Sequence, residues 1–131
     1  MNDAAAGIAG LQGRKYLNLE TYRRNGVAVR TPVWFAADPA GGGHTLYVYT
    51  TADAGKTKRI RRNGAVKVAP CDMRGTVSGA WMDGRAEILG PEGFARGMRL
   101  IDRKYWPWKW LMDISARWFT RHERVMLAIR I

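Results

Sequence analysis

Five cations crowd into residues 56–62 of this 131-residue chain: Lys56, Lys58, Arg59, Arg61 and Arg62 follow closely on Thr50, Thr51 and Gly55. The surrounding stretch, TLYVYTTADAGKTKRIRRN at residues 45–63, reads as an apolar strand running into a basic helix. A helix start offers unpaired backbone N–H groups and the positive end of a dipole. With hydroxyls and cations added, the chemistry on offer is capture of a phosphate or a comparable anion. On a helix from about Ala54, Lys56, Arg59 and Asn63 share one face, Lys58, Arg61 and Arg62 spread over others, and Ile60 anchors to the core. The run Gly55, Lys56, Thr57 lacks the first glycine of a Walker loop, which disfavours nucleotide hydrolysis. Taken alone, a solvated basic helix would have the same composition.

The second signal is Thr31, Pro32, Val33 and Trp34. A proline inside a strand removes a ladder donor, so it marks an edge or a bulge whose backbone faces something other than another strand. A planar ligand is one candidate, and an ordinary edge proline beside a core tryptophan is the plain one. His44 sits in a glycine-rich loop and His122 precedes the last strand, without nucleophile motif or metal-ligand spacing near either. The lone Cys71 reads as a buried core residue. With few, scattered carboxylates and no acid–base pair, the hard chemistry of an enzyme on this chain would belong to a cofactor.

The elements that must position these groups follow from pattern and punctuation. Residues 4–13 suggest a short helix, residues 16–19 a first strand, and Arg23, Arg24, Asn25 and Gly26 a turn. Residues 27–36 read as one strand that pairs with a returning strand at residues 46–50, a hairpin with the glycine-rich tip at residues 38–44. After the basic helix, capped by Asn63 and Gly64, residues 65–71 alternate as a strand and Asp72, Met73, Arg74 and Gly75 turn the chain. Residues 76–89 are extended, with Asp83 and Gly84 either a tight turn or a bulge in one long strand. Pro91 opens a helix to about Lys104, and Pro107 opens another whose Trp110, Ile114 and Trp118 form one apolar stripe. Residues 124–131 finish as a strand. Six or seven short strands with short connections close best as a small barrel, since an open sheet would expose two long edges.

Length fits about one domain, 1–131, with residues 1–14 flexible or a short helix. No run reaches the ~20 apolar residues of a membrane span. The N-terminal residues lack the basic and apolar regions of a secretory signal, so a cytoplasmic location is expected. The formal net charge of +11 then calls for an anionic ligand, nucleic acid, an acidic surface or solubility.

The order of Tyr16, Leu17, Leu19 and Thr21; Gly26; Thr31, Pro32, Val33, Trp34 and Phe35; Tyr47, Val48 and Thr50; Gly55, Lys56, Lys58, Arg59, Ile60 and Arg61; Val68, Ala69, Pro70, Cys71, Asp72, Arg74 and Gly75; then Gly84 and Ala86 resembles the pyridoxamine-phosphate-oxidase-like class of F420-dependent enzymes, the flavin/deazaflavin oxidoreductases. The resemblance covers about residues 15–90. It implies a mainly β fold, a six-stranded split β-barrel (the FMN-binding split barrel) with a short basic helix and two late helices, and one long strand through Asp83 and Gly84. It further implies a homodimer with a cofactor groove where subunits meet. Residues Thr31, Pro32, Val33 and Trp34 would lie along the cofactor ring, Thr50, Lys56, Lys58 and Arg59 would hold its phosphate, and Arg61 and Arg62 would reach toward the acidic tail of coenzyme F420. FMN is the alternative cofactor. The implied activity is hydride transfer from reduced F420 to an electron-poor small molecule, with a non-enzymatic F420 carrier as a variant. True vitamin B6 oxidation lacks its flavin-phosphate pattern here. A rival of another class, a basic nucleic-acid-binding protein, is disfavoured because the cations concentrate at one strand end rather than along a track.

Overall fold

The computed structural model of the chain describes residues 3–105 and 123–131. The element order is α1 (Asp3–Leu11), β1 (Tyr16–Tyr22), β2 (Ala28–Trp34), β3 (Ala36–Ala37), a 3₁₀ turn (Ala40–Gly43), β4 (Thr45–Thr51), α2 (Gly55–Arg62), β5 (Ala65–Cys71), β6 (Met82–Ile88), α3 (Pro91–Lys104) and β7 (Arg124–Arg130). The helix expected from Pro107 and the position of His122 lie outside the described residues.

All strands join one antiparallel sheet in the order β2-β1-β5-β6-β7-β4-β3. The two ends of that order, β2 and β3, are consecutive in the chain and separated only by Phe35. The sheet therefore curls until its edges meet at one residue, the half-closed form of a split barrel. Among the described residues there are seven strands, not the six expected. The extra one arises because residues 27–36 do not form a single strand. Ala28–Trp34 pairs with β1, and past Phe35 the chain leaves that partner, so that Ala36 and Ala37 pair with Tyr47 and Leu46 instead. The long hairpin expected over residues 27–50 is for the same reason only two residues deep.

Alternation along the strands separates two cores. Inside the curl lie Leu17, Leu19, Val33, Phe35, Leu46, Val48, Val66, Val68, Leu127 and Ile129. Each fully buried aliphatic side chain there contributes roughly 1.5–3 kcal/mol of apolar burial. Helix α1 stoppers one end of this core with Ile8 and Leu11, and α2 enters it with Ile60. On the outer face of β4 and β7, α3 packs Ile101 and Phe94 against Tyr47, Met126 and Ala128. Gly97 permits that approach, since a Cβ there would stand 2.7 Å from Met126 Cγ.

Asp83 and Gly84 lie within the single strand β6, with Gly84 paired to Val66, so the alternative of a hairpin turn is resolved against. The turn after β5 is fastened by Asp72, whose Oδ1 accepts from the N–H groups of Arg74 and Thr76, while Gly75 takes φ +87°. Cys71 is buried, as its reading required. Among the described residues no helix is long and apolar enough to cross a membrane.

Candidate functional site

Because β3 pairs with β4 only at Leu46 and Tyr47, among the described residues neither residues 48–51 of β4 on that side nor the outer edge of β2 has a ladder partner. The chain passes between these two edges at Phe35, so the slit between β2 and β4 begins at that residue. Unpaired edges attract whatever can satisfy them. Thr31 and Pro32 lie on one wall of this slit, and the other wall runs through Thr50 and Thr51 into α2.

The join from β4 to α2 is tight. Thr57, fully buried, donates from Oγ1 to the carbonyl of Thr51 at 2.7 Å and so ties the first turn of the helix to the strand end. Sequence reading credited only Ile60 with anchoring α2; a threonine among lysines gives no apolar signal, and its partner is six residues back. Ala54 stands at the N-cap and no side chain caps the helix. A first turn without a cap leaves N–H groups in want of an acceptor.

Over this start folds Arg59. Its Nε donates to Thr21 Oγ1 on β1 at 2.6 Å, and its Nη1 lies where a Cβ on residue 55 would come within 2.8 Å. Gly55 is thus needed for the guanidinium to lie across the helix start. Arg62 donates to the carbonyl of Tyr22 at 2.7 Å. Both hold α2 against the end of β1. Burial lowers the pKa of Arg59, and the charges of Arg23 and Arg62 lower it further. Lys56 is likewise lowered, by burial first and then by Arg59. Among the described residues no carboxylate forms an ion pair with Lys56, Lys58, Arg59, Arg61 or Arg62, whereas Arg30, Lys67, Arg96 and Arg130 each have one. Half-buried cations that repel one another and lack an acid form a site that gains from an anion.

The predicted residues divide accordingly. Lys56 and Arg59 come together at the start of α2, and Lys58, Arg61 and Arg62 are exposed around it. Thr50 is only 6% exposed, paired across the sheet with Val125, so its side chain faces the interior rather than the cation cluster. On the opposite wall Thr31 is half-buried and Pro32 exposed, but Val33 points into the barrel core. The indole of Trp34 stacks on Tyr105 with centroids 4.6 Å apart at 10°, and Tyr16 meets it edge-on. Register places Thr31 two residues along β2 from Val29, the partner of Thr21, hence roughly 7 Å from the reach of Arg59.

Asn18, cross-strand partner of Pro32, was not foreseen. Its Nδ2 donates to the Gly75 carbonyl at 3.0 Å, while its buried Oδ1 has no hydrogen-bond partner among the described residues. His44 is half-buried, with Nδ1 3.3 Å from the Ile131 carbonyl. The described residues contain no cluster of acids, cysteines or histidines able to hold a metal.

No protein-family profile matches the chain, and no curated protein matches its sequence. Solved structures do. A Listeria innocua protein provisionally named a pyridoxamine 5'-phosphate oxidase superposes with a TM-score of 0.61 at 21% identity, over 98% of this chain and 92% of its own. A structure named F420 reductase gives 0.58 at 20%, over 95% and 92%. A FAD-binding protein from Mesorhizobium loti gives 0.60 at 18%, over 94% and 83%. At these identities the likeness shows a shared fold, a split β-barrel.

Proposed function

We propose that this chain is an oxidoreductase of the flavin-binding split-barrel kind that takes coenzyme F420 in the slit between β2 and β4, with FMN the alternative cofactor. The observation that carries the reading is the cluster of Lys56, Arg59 and Arg62 at an uncapped helix start beside that slit, none of them in an ion pair with a carboxylate among the described residues. The residues present suit such a cofactor: Lys56 and Arg59 stand together at the helix start, and the unpaired β2 edge at Thr31 and Pro32 lies roughly 7 Å from the reach of Arg59.

In this reading Lys56, Arg59 and Lys58 bind the phosphate, with the first-turn N–H groups of α2 behind it. Thr31 and Pro32 carry the ring, Val33 shapes the wall through its backbone, and Trp34, locked by Tyr105, limits the far end. Thr50 holds the strand end that places α2. Arg61 and Arg62 extend the positive field beyond a single phosphate, which favours F420 and its acidic tail over FMN. When bound, the reduced deazaflavin supplies a hydride. The chain's own part is to orient the ring, exclude water from the slit and leave the acceptor face open to an electron-poor substrate. Homodimerisation would cover the open side of the slit.

Titration of tryptophan fluorescence with F420, FMN and a short single-stranded DNA, at two salt concentrations, tests this. Micromolar binding of F420, tighter than FMN and with little response to DNA, is the expected outcome. DNA binding with a steep salt dependence and no F420 binding would replace the oxidoreductase reading with a nucleic-acid one.

A further inference from the structure

The molecule holds a cavity that the cofactor reading does not use. It lies where α1, β3 and the end of α3 meet, has a volume of about 420 Å³, and is walled by Ile8, Leu11, Leu46 and Leu100. That size falls within the ~300–1,000 Å³ common for small-molecule sites. It opens near the start of β1, whereas the cations of α2 grip the other end of that strand, roughly 20 Å away at ~3.4 Å per residue.

Two cations, Arg103 and Lys104, belong to the lining, and no carboxylate does among the described residues. Lys104 Nζ donates one N–H to the Phe35 carbonyl at 2.9 Å and stands 3.6 Å over the Phe35 ring. An ammonium has three donors, so two remain for a ligand at the cavity wall. Arg103 is exposed at the rim and has no acid partner among the described residues. Asp38, which lines the adjoining surface with Arg99, is already held by both Nε and Nη2 of Arg96, at 2.8 and 3.0 Å. Burying a cation without an acid is costly, and a ligand that brings its own acid removes the cost.

We propose that this cavity binds a small apolar carboxylate, its hydrocarbon body among Ile8, Leu11, Leu46 and Leu100 and its head between Lys104 and Arg103. The site adjoins the Phe35 end of the slit, away from the cations of α2, and needs no cofactor. Burial lowers the pKa of Lys104 to about 8. The amine is therefore charged at neutral pH and loses its proton just above it, so carboxylate affinity falls as pH rises from 7 to 9. The other charged groups lining this region are Arg103, Arg99, Arg96 and Asp38, the last held by Arg96.

Isothermal titration of the full chain with octanoate and octanol, each below its aggregation limit, reads the proposal directly. Octanoate is expected to bind at least tenfold more tightly than octanol at pH 7, and to lose several-fold in affinity by pH 9. Lys104→Met should abolish the preference while octanol still binds. Leu100→Trp, which fills the cavity and leaves both cations, should stop both ligands without lowering the thermal midpoint. Equal affinity for the two ligands, no binding of either, or a preference that survives in Lys104→Met with Arg103→Gln would overturn it. F420 binding is expected to be unchanged in these variants, so this outcome and that of the slit are read separately.

Discussion

Arg59 on α2 reaches back to β1 and donates from Nε to Thr21 Oγ1 at 2.6 Å. This bond points the guanidinium at the helix start rather than into solvent, and it makes a residue in the first strand part of the site. An exposed arginine would lose its rotamer freedom on gripping a phosphate; here much of that ordering precedes binding.

Removing the cations should weaken cofactor capture far more than the fold. Charge-assisted hydrogen bonds contribute roughly 1.5–3 kcal/mol each, so Lys56→Ala and Arg59→Ala should each weaken F420 binding by about tenfold to a hundredfold. Fluorescence titration measures this, and thermal melts should show only the small loss of the Thr21 contact. Unchanged affinity in the double variant would place the phosphate elsewhere.

Gly55→Ala tests the same geometry without touching a charge. The added methyl would come within 2.8 Å of Arg59 Nη1 and displace it, although alanine is the better helix former by about 1 kcal/mol. Weaker F420 binding together with equal or higher thermal stability is expected. A variant that binds as the parent does would show that the position of Arg59 is immaterial.

Tyr105 offers a stability prediction. Its hydroxyl donates toward the carbonyls of Lys15 (2.6 Å) and Phe35 (2.8 Å) and accepts from the Phe35 N–H (3.2 Å). Tyr105→Phe removes the hydroxyl from the Phe35 N–H and the Lys15 carbonyl, while Lys104 still donates to the Phe35 carbonyl, and should cost roughly 1–3 kcal/mol in urea unfolding. A loss below about 0.5 kcal/mol would mean that water or rearrangement replaces the hydroxyl.

Acid should act through Asp38. Hydrogen bonds from Arg96 hold its pKa below the ordinary carboxylate value against the opposing effect of burial, helped by the Ala40 N–H and by Tyr47. A carboxylate with a depressed folded pKa contributes stability above its unfolded pKa, near 3.9, and loses it as pH falls through the folded one. Arg96→Gln should therefore lower the thermal midpoint at pH 7 and flatten its decline below pH 4. Parallel curves for variant and parent would remove Asp38 from the acid response.

The strands with clean local signals were legible in full: β5 begins and ends at Ala65 and Cys71 as its alternation and flanking turns require, and α3 runs from its N1 proline to Lys104. The cation cluster was legible as composition and as a helix face. The break at Phe35 was not, because Val33, Trp34, Phe35, Ala36 and Ala37 all tolerate extended backbone, and what ends β2 is the arrival of a different partner. Nor could local pattern reveal that Thr50 turns inward, or that Thr21, Asn18 and Tyr105 serve the site. Their partners are 38, 57 and 70 residues away, and such pairings belong to the folded topology rather than to any window of sequence.

The passage of the chain from β2 to β3 at Phe35 has a mechanical consequence. The walls of the slit meet at this point, and among the described residues no ladder joins β2 to β4 beyond it, so Phe35 is a pivot between two arms whose other ties are the rest of the sheet and the bonds of Arg59 and Arg62 to β1. Spreading β2 from β4 would break no ladder hydrogen bond among the described residues. Tyr105, bonded to both the N–H and the C=O of Phe35, is the pin of that pivot.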